Sequence, residues 1–278
     1  MKLAIGLPWY NGPNEDTFDL YFDLMMYFGA LRERSLWVSR LGADLVKDLE
    51  LPPLSEGAEG EKSEPTIEEW ESLGEFQLGV ANYARTSLVG LARECCVDMA
   101  LEWGADYILF WDADMKFERA AFLELWRTQK PVVGALAFTA RYPVVPVIYS
   151  VTQEKLKDGG YLVESSQPFF NYPEDSIVTN DTVDGELAFG TGVALIDMKV
   201  FKVIPKPWFT STGCGEDWYF CHRCAEFNVE RVVNTKVKTK HKEHVARCVD
   251  EAVYKDERRQ RGHEYKEVYG DVVKWEEI

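Results

Sequence analysis

One stretch constrains the fold of this 278-residue chain more than any other: Tyr107-Ile108-Leu109-Phe110-Trp111, followed at once by Asp112-Ala113-Asp114-Met115. Five consecutive apolar or aromatic residues leave no polar face, which predicts a strand buried on both sides, as in the interior of an α/β sheet flanked by helices. The run then ends in two carboxylates one residue apart. Side chains alternate at a strand's end, so Asp112 and Asp114 point one way and Ala113 the other, an arrangement that suits one hard divalent cation. In open α/β sheets, ligands bind at the carboxyl ends of the strands. The same two residues also suit a helix cap and a turn, because Phe117 to Thr128 has the pattern of a following helix. The motifs further along the chain decide between these readings.

Composition narrows the classes. A hydrophobic share of 46% in a chain of this length is enough for a substantial core, and no apolar run reaches the length of a membrane span. The start, Met1-Lys2-Leu3-Ala4-Ile5-Gly6, lacks the features of a signal peptide, so the expectation is a cytoplasmic protein without a membrane partner. The net charge of −16 argues against a sequence-independent grip on nucleic acid. It is unevenly spread, however: residues 1–75 carry −10 and residues 231–266 carry +5, so a basic C-terminal stretch is available to phosphates. Cys221-His222-Arg223-Cys224 resembles half of a zinc site, but no second pair follows, and both thiols also fit the buried face of a helix. Reduced thiols are the default expectation.

Taken in order, Lys2 to Leu7 predicts a first strand, and Pro8-Trp9-Tyr10-Asn11-Gly12-Pro13 a loop at its end. Phe18, Tyr21, Leu24, Met25, Phe28 and Leu31 mark a helix capped by Asp16 or Thr17. Residues from about 49 to 75 turn to Pro, Gly, Ser and Glu, predicting an exposed acidic insertion with one short helix at Ile67 to Ser72. Phe76 to Val80 has extended character. Tyr83 to Trp103 predicts a long helix with Leu88, Leu91, Ala92, Cys95, Met99 and Leu101 near its apolar side, ended by Gly104. Pro131 to Phe138 predicts another interior strand and Val145 to Val151 a less regular antiparallel part. Residues 152–186 are polar, with turn signals and little periodicity, and predict an acceptor-facing or mobile loop. Leu187 to Asp197 predicts a strand interrupted by Gly190 and Gly192, which mark either a close approach of backbone or ligand or a simple bulge. Gly215-Glu216-Asp217 opens a helix to Phe227, and Val229 to Val237 is the last strand, leading into Lys240-His241-Lys242-Glu243-His244.

This order of features resembles the GT-A glycosyltransferases, in particular family 2-like members, some of them encoded by bacteriophages. The matching pieces are the first strand and loop, the helix beginning Ala84-Arg85-Thr86, Asp112-Ala113-Asp114 in the place of the family's Asp-x-Asp motif, Phe189-Gly190-Thr191-Gly192, Gly215-Glu216-Asp217, and the late strand ending in His241. The departures are the acidic insertion, Thr86 where an Asn is expected, and two late histidines, His241 and His244, instead of one. The resemblance implies a single GT-A-like, Rossmann-like α/β domain over residues 1–278, with a mixed, mostly parallel sheet flanked by helices. Residues 1–115 are then the nucleotide-binding half, including the insertion, and residues 116–278 the acceptor-binding half with a C-terminal extension.

The implied reaction moves a sugar from a nucleotide diphosphate, UDP-hexose foremost, to an acceptor hydroxyl. Negative charge gathers on the departing diphosphate, and a cation held by Asp114, by Asp112 and by His241 or His244 neutralises it. Oxygen ligands suit Mg²⁺ or Mn²⁺, and an imidazole tilts the choice to Mn²⁺. Pro8, Tyr10, Arg85, Asp112, the Gly190-Thr191-Gly192 turn and Lys240 are the expected nucleotide contacts, and Trp218 offers a ring to the acceptor or to the core. Asp217 or Glu216 is the expected general base, Asp217 for an inverting displacement. A retaining enzyme uses that position differently, and both acids also suit a helix N-terminus. Two other readings stand beside this one: a phage-type DNA glycosyltransferase acting on hydroxymethylated pyrimidines in the host cytoplasm, and a non-catalytic sugar- or nucleotide-binding module. A nucleotidyltransferase fits less well, since no glycine-rich loop with a following lysine lies near the first strand.

Overall fold

The computed structural model describes residues 1–9, 15–41, 65–83, 86–155, 161–210, 215–242 and 248–260. The first half runs β1 (Lys2–Leu7), α1 (Glu15–Leu41), α2 (Ile67–Leu73), β2 (Gln77–Asn82), α3 (Val89–Trp103), β3 (Tyr107–Trp111), β4 (Met115–Phe117), α4 (Ala121–Arg127) and β5 (Val132–Leu136). The second half runs β6 (Ile148–Lys155), β7 (Tyr161–Pro168), β8 (Ile177–Val178), β9 (Glu186–Phe189), β10 (Val193–Asp197), α5 (Val200–Val203), α6 (Glu216–Glu226), β11 (Arg231–Lys242), β12 (Cys248–Val249) and α7 (Glu251–Gln260). Among the described residues no helix is long and apolar enough to cross a membrane.

The large sheet has the order β12-β11-β5-β10-β3-β1-β2, with β4 and β8 also paired to β11. It is mixed. β1 lies parallel to β2 and β3, and β5 parallel to β11, but β10 runs antiparallel between β3 and β5. Alternation explains why β3 has no polar face: Ile108 and Phe110 enter one apolar core with α3 and α6, whereas Leu109 and Trp111 enter the other with α1 and α4. A strand covered by helices on both sides has no use for polar residues.

Four expectations are corrected. Helix α3 begins at Val89, not near Tyr83, and buries Gly90, Ala92, Arg93, Cys96, Val97 and Ala100. Leu88, Leu91 and Met99 are instead exposed. The small residues let the helix approach the sheet closely, and that contact outweighs the larger apolar side chains on the other face. Residues 65–75 are not an exposed insertion, because Trp70, Leu73 and Phe76 join the core under α1. Residues 49–64 of the predicted insertion lie outside the described ones. The stretch read as an acceptor-facing loop contains the β6–β7 hairpin, which with β9 forms a second sheet. Finally, the glycines at 190 and 192 do not interrupt one strand. They carry the chain from β9 in the small sheet to β10 in the large one.

Aromatic packing fixes the end of β3. Trp111 is fully buried, and its indole N–H donates to the Met115 carbonyl at 2.7 Å, closing the turn that bears Asp112 and Asp114. Trp9, just past β1, donates its own indole N–H to the Trp111 carbonyl at 2.7 Å and packs edge-on against that ring. Each such bond contributes about 1 kcal/mol net. The two together tie the acidic turn to the core.

Candidate functional site

Asp112 follows the last residue of β3, and its amide donates to the Gly192 carbonyl at 2.8 Å. Since β10 enters the sheet at Val193 opposite Trp111, the Gly190–Gly192 turn and the acidic turn occupy the same edge of the sheet. Gly192 is needed there: a Cβ on it would stand 3.0 Å from Asp112 Oδ2. β11 then extends past β5 to pair with β4, which sets His241 opposite Met115 and beside Asp114. The fourth contribution is α6. Its N-cap Gly215 has φ +98, a backbone conformation open to glycine, and Glu216 and Asp217 form the first turn.

These pieces meet around Arg93. Its guanidinium, from α3, is 1% exposed, and Nη2 lies 2.9 Å from Asp112 Oδ2, 3.6 Å from Asp217 Oδ1 and 3.8 Å from Glu216 Oε1. Nη1 donates to the Thr191 carbonyl at 3.2 Å. The Thr191 hydroxyl in turn donates to Asp217 Oδ1. Burial works against the charge on Arg93, but Asp112, Asp217 and Glu216 outweigh it and raise its pKa above the ordinary arginine value. For the carboxylates the balance is reversed. Burial raises the pKa of Asp112 and of Asp217, and the nearby Arg93 offsets only part of the shift. Among the described residues, Asp112 Oδ1 and Arg93 Nε are buried without a hydrogen-bond partner.

Asp114 belongs to a more open pair. Its Oδ2 lies 3.1 Å from His241 Nε2, and its side chain is 53% exposed. His241 Nδ1 lies 2.8 Å from the Phe138 carbonyl, a contact that makes Nδ1 the donor and fixes the ring. Burial lowers the imidazole pKa, but the hydrogen bond to Asp114 and its charge more than compensate, leaving it raised. Among the described residues no three His, Cys, Asp or Glu side chains stand close enough to form a ready-made metal set.

The structure thus brings Asp112, Asp217, Glu216, Thr191 and Gly192 together, with Gly190 adjoining. A Cβ on Gly190 would lie 3.8 Å from Asp217 Oδ2. Pro8 follows β1 at the same edge, half-buried. Tyr10, Arg85 and His244 lie outside the described residues. Lys240 is not brought in. Neighbours on a strand face opposite ways, so while His241 meets Asp114, Lys240 turns to the other side of β11 and pairs with Asp250 at 3.4 Å. Trp218 packs against the core, its ring edge-on to Tyr149 at 4.9 Å. Cys221 and Cys224 are buried in the core, and burial pushes the Cys221 thiol up to about 12. Arg93 is the residue that sequence reasoning missed. The signal was present, because an arginine three residues before Cys96 and four before Val97 sits in the inward stripe of a helix, where a lone charge is costly unless paired.

No protein-family model and no curated protein matches the chain. Among solved structures, the crystal structure of A197 from STIV superposes with a TM-score of 0.40 and 16% identity, over 87% of this chain and 85% of that one. At that level the likeness fixes neither a fold family nor a function.

Proposed function

We propose that this chain is a metal-dependent glycosyltransferase of the GT-A kind, moving a sugar from a nucleotide diphosphate to an acceptor hydroxyl. One observation carries the reading: Asp112 and Asp217, more than a hundred residues apart in the chain, share one buried guanidinium at the carboxyl edge of β3, with Asp114 and His241 paired alongside. The donors suit a hard divalent cation. Asp112 Oδ1 is a buried acceptor that no described residue donates to, and Asp114 and His241 add an oxygen and a nitrogen. Asp112, Asp114 and His241 would hold Mn²⁺ or Mg²⁺, which when bound supplies positive charge to the leaving diphosphate.

The chain's own residues supply the rest. Asp217 takes the proton from the acceptor hydroxyl, and its raised pKa makes it a stronger base than an exposed aspartate. The Thr191 hydroxyl orients this carboxylate through Oδ1. Glu216 is farther from the guanidinium, at 3.8 Å, and stands as the alternative base. Trp218, the next residue, closes one side of this first turn against Tyr149.

The test is donor hydrolysis in the absence of acceptor. UDP-, GDP- and dTDP-sugars are incubated with the protein in Mn²⁺ or in EDTA, and free sugar is followed. The expected result is metal-dependent release from at least one donor, lost in Asp114→Asn and in Asp217→Asn. Silence across the panel, together with nucleotide-sugar binding that ignores Asp217→Asn, leaves the binding-module reading in its place.

A further inference from the structure

We infer that Arg93 is a resident cation that stands in for part of the charge a divalent ion brings, and so sets how tightly the site takes that ion. The inference rests on the metal-binding reading above and deepens it. One guanidinium faces three carboxylates, Asp112, Asp217 and Glu216, and with all groups ionised the cluster keeps an excess of two negative charges. At 1% exposure Arg93 is screened less by water than a surface cation, so its charge opposes another cation that enters beside it.

The grip of Arg93 on Asp112 is also incomplete. Among the described residues only Nη2 to Oδ2 is made, while Oδ1 and Nε have no partner there, so Arg93 occupies one oxygen of the aspartate and leaves the other for a second ligand. Nη1 also donates to the Thr191 carbonyl at 3.2 Å, a second contact that holds the guanidinium in place. Its own helix is anchored too: Glu94 accepts the backbone N–H groups of Trp208 and Phe209, in the segment that leads toward α6. Helix α3 therefore holds both the cation and the approach to the acids it faces. In this role Arg93 is a positioning residue whose charge opposes the incoming ion.

The sign of one measurement separates this from a purely structural salt bridge. Binding of Mn²⁺ alone to the full chain at pH 8 is read by the loss of the free-ion paramagnetic resonance signal, with thermal melts of the same samples as a folding check. If Arg93 opposes the ion, Arg93→Met raises Mn²⁺ affinity by about tenfold or more, since a buried like charge is removed. Arg93→Lys keeps the charge and stays within about threefold of wild type. Asp217→Asn binds about threefold or more weakly, because one attracting charge is gone. The double variant Arg93→Met/Asp217→Asn restores the charge count and returns to near the wild-type value. A structural arginine gives the reverse, with affinity falling in Arg93→Met. An unchanged or weaker Arg93→Met, or an Arg93→Lys that behaves like Arg93→Met, overturns the inference. Should Arg93→Met fail to fold, the double variant and Arg93→Lys decide it: both must match wild type while Asp217→Asn alone is weaker. If wild type binds Mn²⁺ and this order fails, only the role of Arg93 falls. If no protein in the series binds Mn²⁺, the metal reading falls with it.

Discussion

Two polar clusters in this molecule shift their carboxyl groups in opposite directions. Around Arg93, one buried cation faces three carboxylates, and Arg93 Nε and Asp112 Oδ1 have no partner among the described residues. Around Glu251, at the start of α7, the carboxylate meets two ammonium groups, Lys238 at 2.7 Å and Lys255 at 3.5 Å, and accepts the Tyr172 hydroxyl at 3.0 Å, while the same lysines also reach the exposed Asp175 and Glu174. Two turns on, Arg258 donates to the hydroxyl of Tyr254, whose ring stacks on Phe138 at 4.9 Å. The carboxyl groups respond in opposite directions. Burial raises the Glu251 pKa, but Lys238, Tyr172 and Lys255 more than offset it, so its pKa is lowered, whereas those of Asp112 and Asp217 are raised. Ionisation at Glu251 therefore favours the folded state, and at Asp112 and Asp217 it opposes folding. A cluster that costs stability when charged is the one to suspect of chemistry.

The largest effect that can break this comparison is at Asp217. Asp217→Asn is expected to lower donor hydrolysis by about 10²- to 10⁴-fold, the usual range for a general base. The melting temperature should hold or rise, because a raised-pKa carboxyl has been removed from an overcharged site. A variant that loses stability along with activity would make Asp217 a structural acid like Glu251. The mirror experiment is Glu251→Gln. It should keep donor hydrolysis within about twofold and lose on the order of 1–3 kcal/mol in denaturant unfolding, since the hydrogen bonds to a charged group are weakened. An active-site phenotype in Glu251→Gln would erase the distinction between the two clusters.

A smaller effect sharpens the geometry on the Arg93 side. The Cβ introduced by Gly192→Ala would lie 3.0 Å from Asp112 Oδ2 and 3.4 Å from Met115 Cγ. The aspartate has to give way, so hydrolysis should fall by about tenfold while overpacking costs about 1 kcal/mol of stability. Full activity in Gly192→Ala would show that the position of Asp112 is not what the turn protects.

Much of this was legible in the sequence where one short segment decides the outcome. Five apolar residues from Tyr107 to Trp111 could only be a strand covered on both faces, and Gly104 and Gly215-Glu216-Asp217 marked the end of α3 and the start of α6 correctly. What could not be read depended on contacts across the chain. The inward face of α3 was chosen by how closely small residues let it approach the sheet, so the more hydrophobic stripe through Leu91 and Met99 was the wrong guide. The turn at Gly190–Gly192 looked like a defect in one strand, because nothing local says that β9 and β10 belong to different sheets. Lys240 was grouped with His241 by adjacency, and strand alternation separates them. Arg93 was overlooked because its meaning lies in partners 19 and more than a hundred residues away.

The smallest expected effect concerns acid. Because the Glu251 pKa is lowered in the folded state, its ionised form contributes stability at every pH above the unfolded value of about 4.5. As pH falls through that value and on through the lower folded one, the unfolded chain takes up the proton first, and the contribution is lost. In Glu251→Gln there is no proton to take up, so the unfolding free energy of the variant should fall less steeply than that of wild type between about pH 5 and pH 3, and the gap between the two proteins should narrow toward acid. The raised carboxyls at Asp112 and Asp217 work in the other direction over the same range: they bind protons more readily folded than unfolded, so acid relieves their cost and Asp217→Asn should lose stability relative to wild type as pH falls. Urea titrations at three pH values on the two variants read both slopes at once. Slopes that change in the same direction for Glu251→Gln and Asp217→Asn would mean that the two clusters do not hold their carboxyl groups in opposite ways.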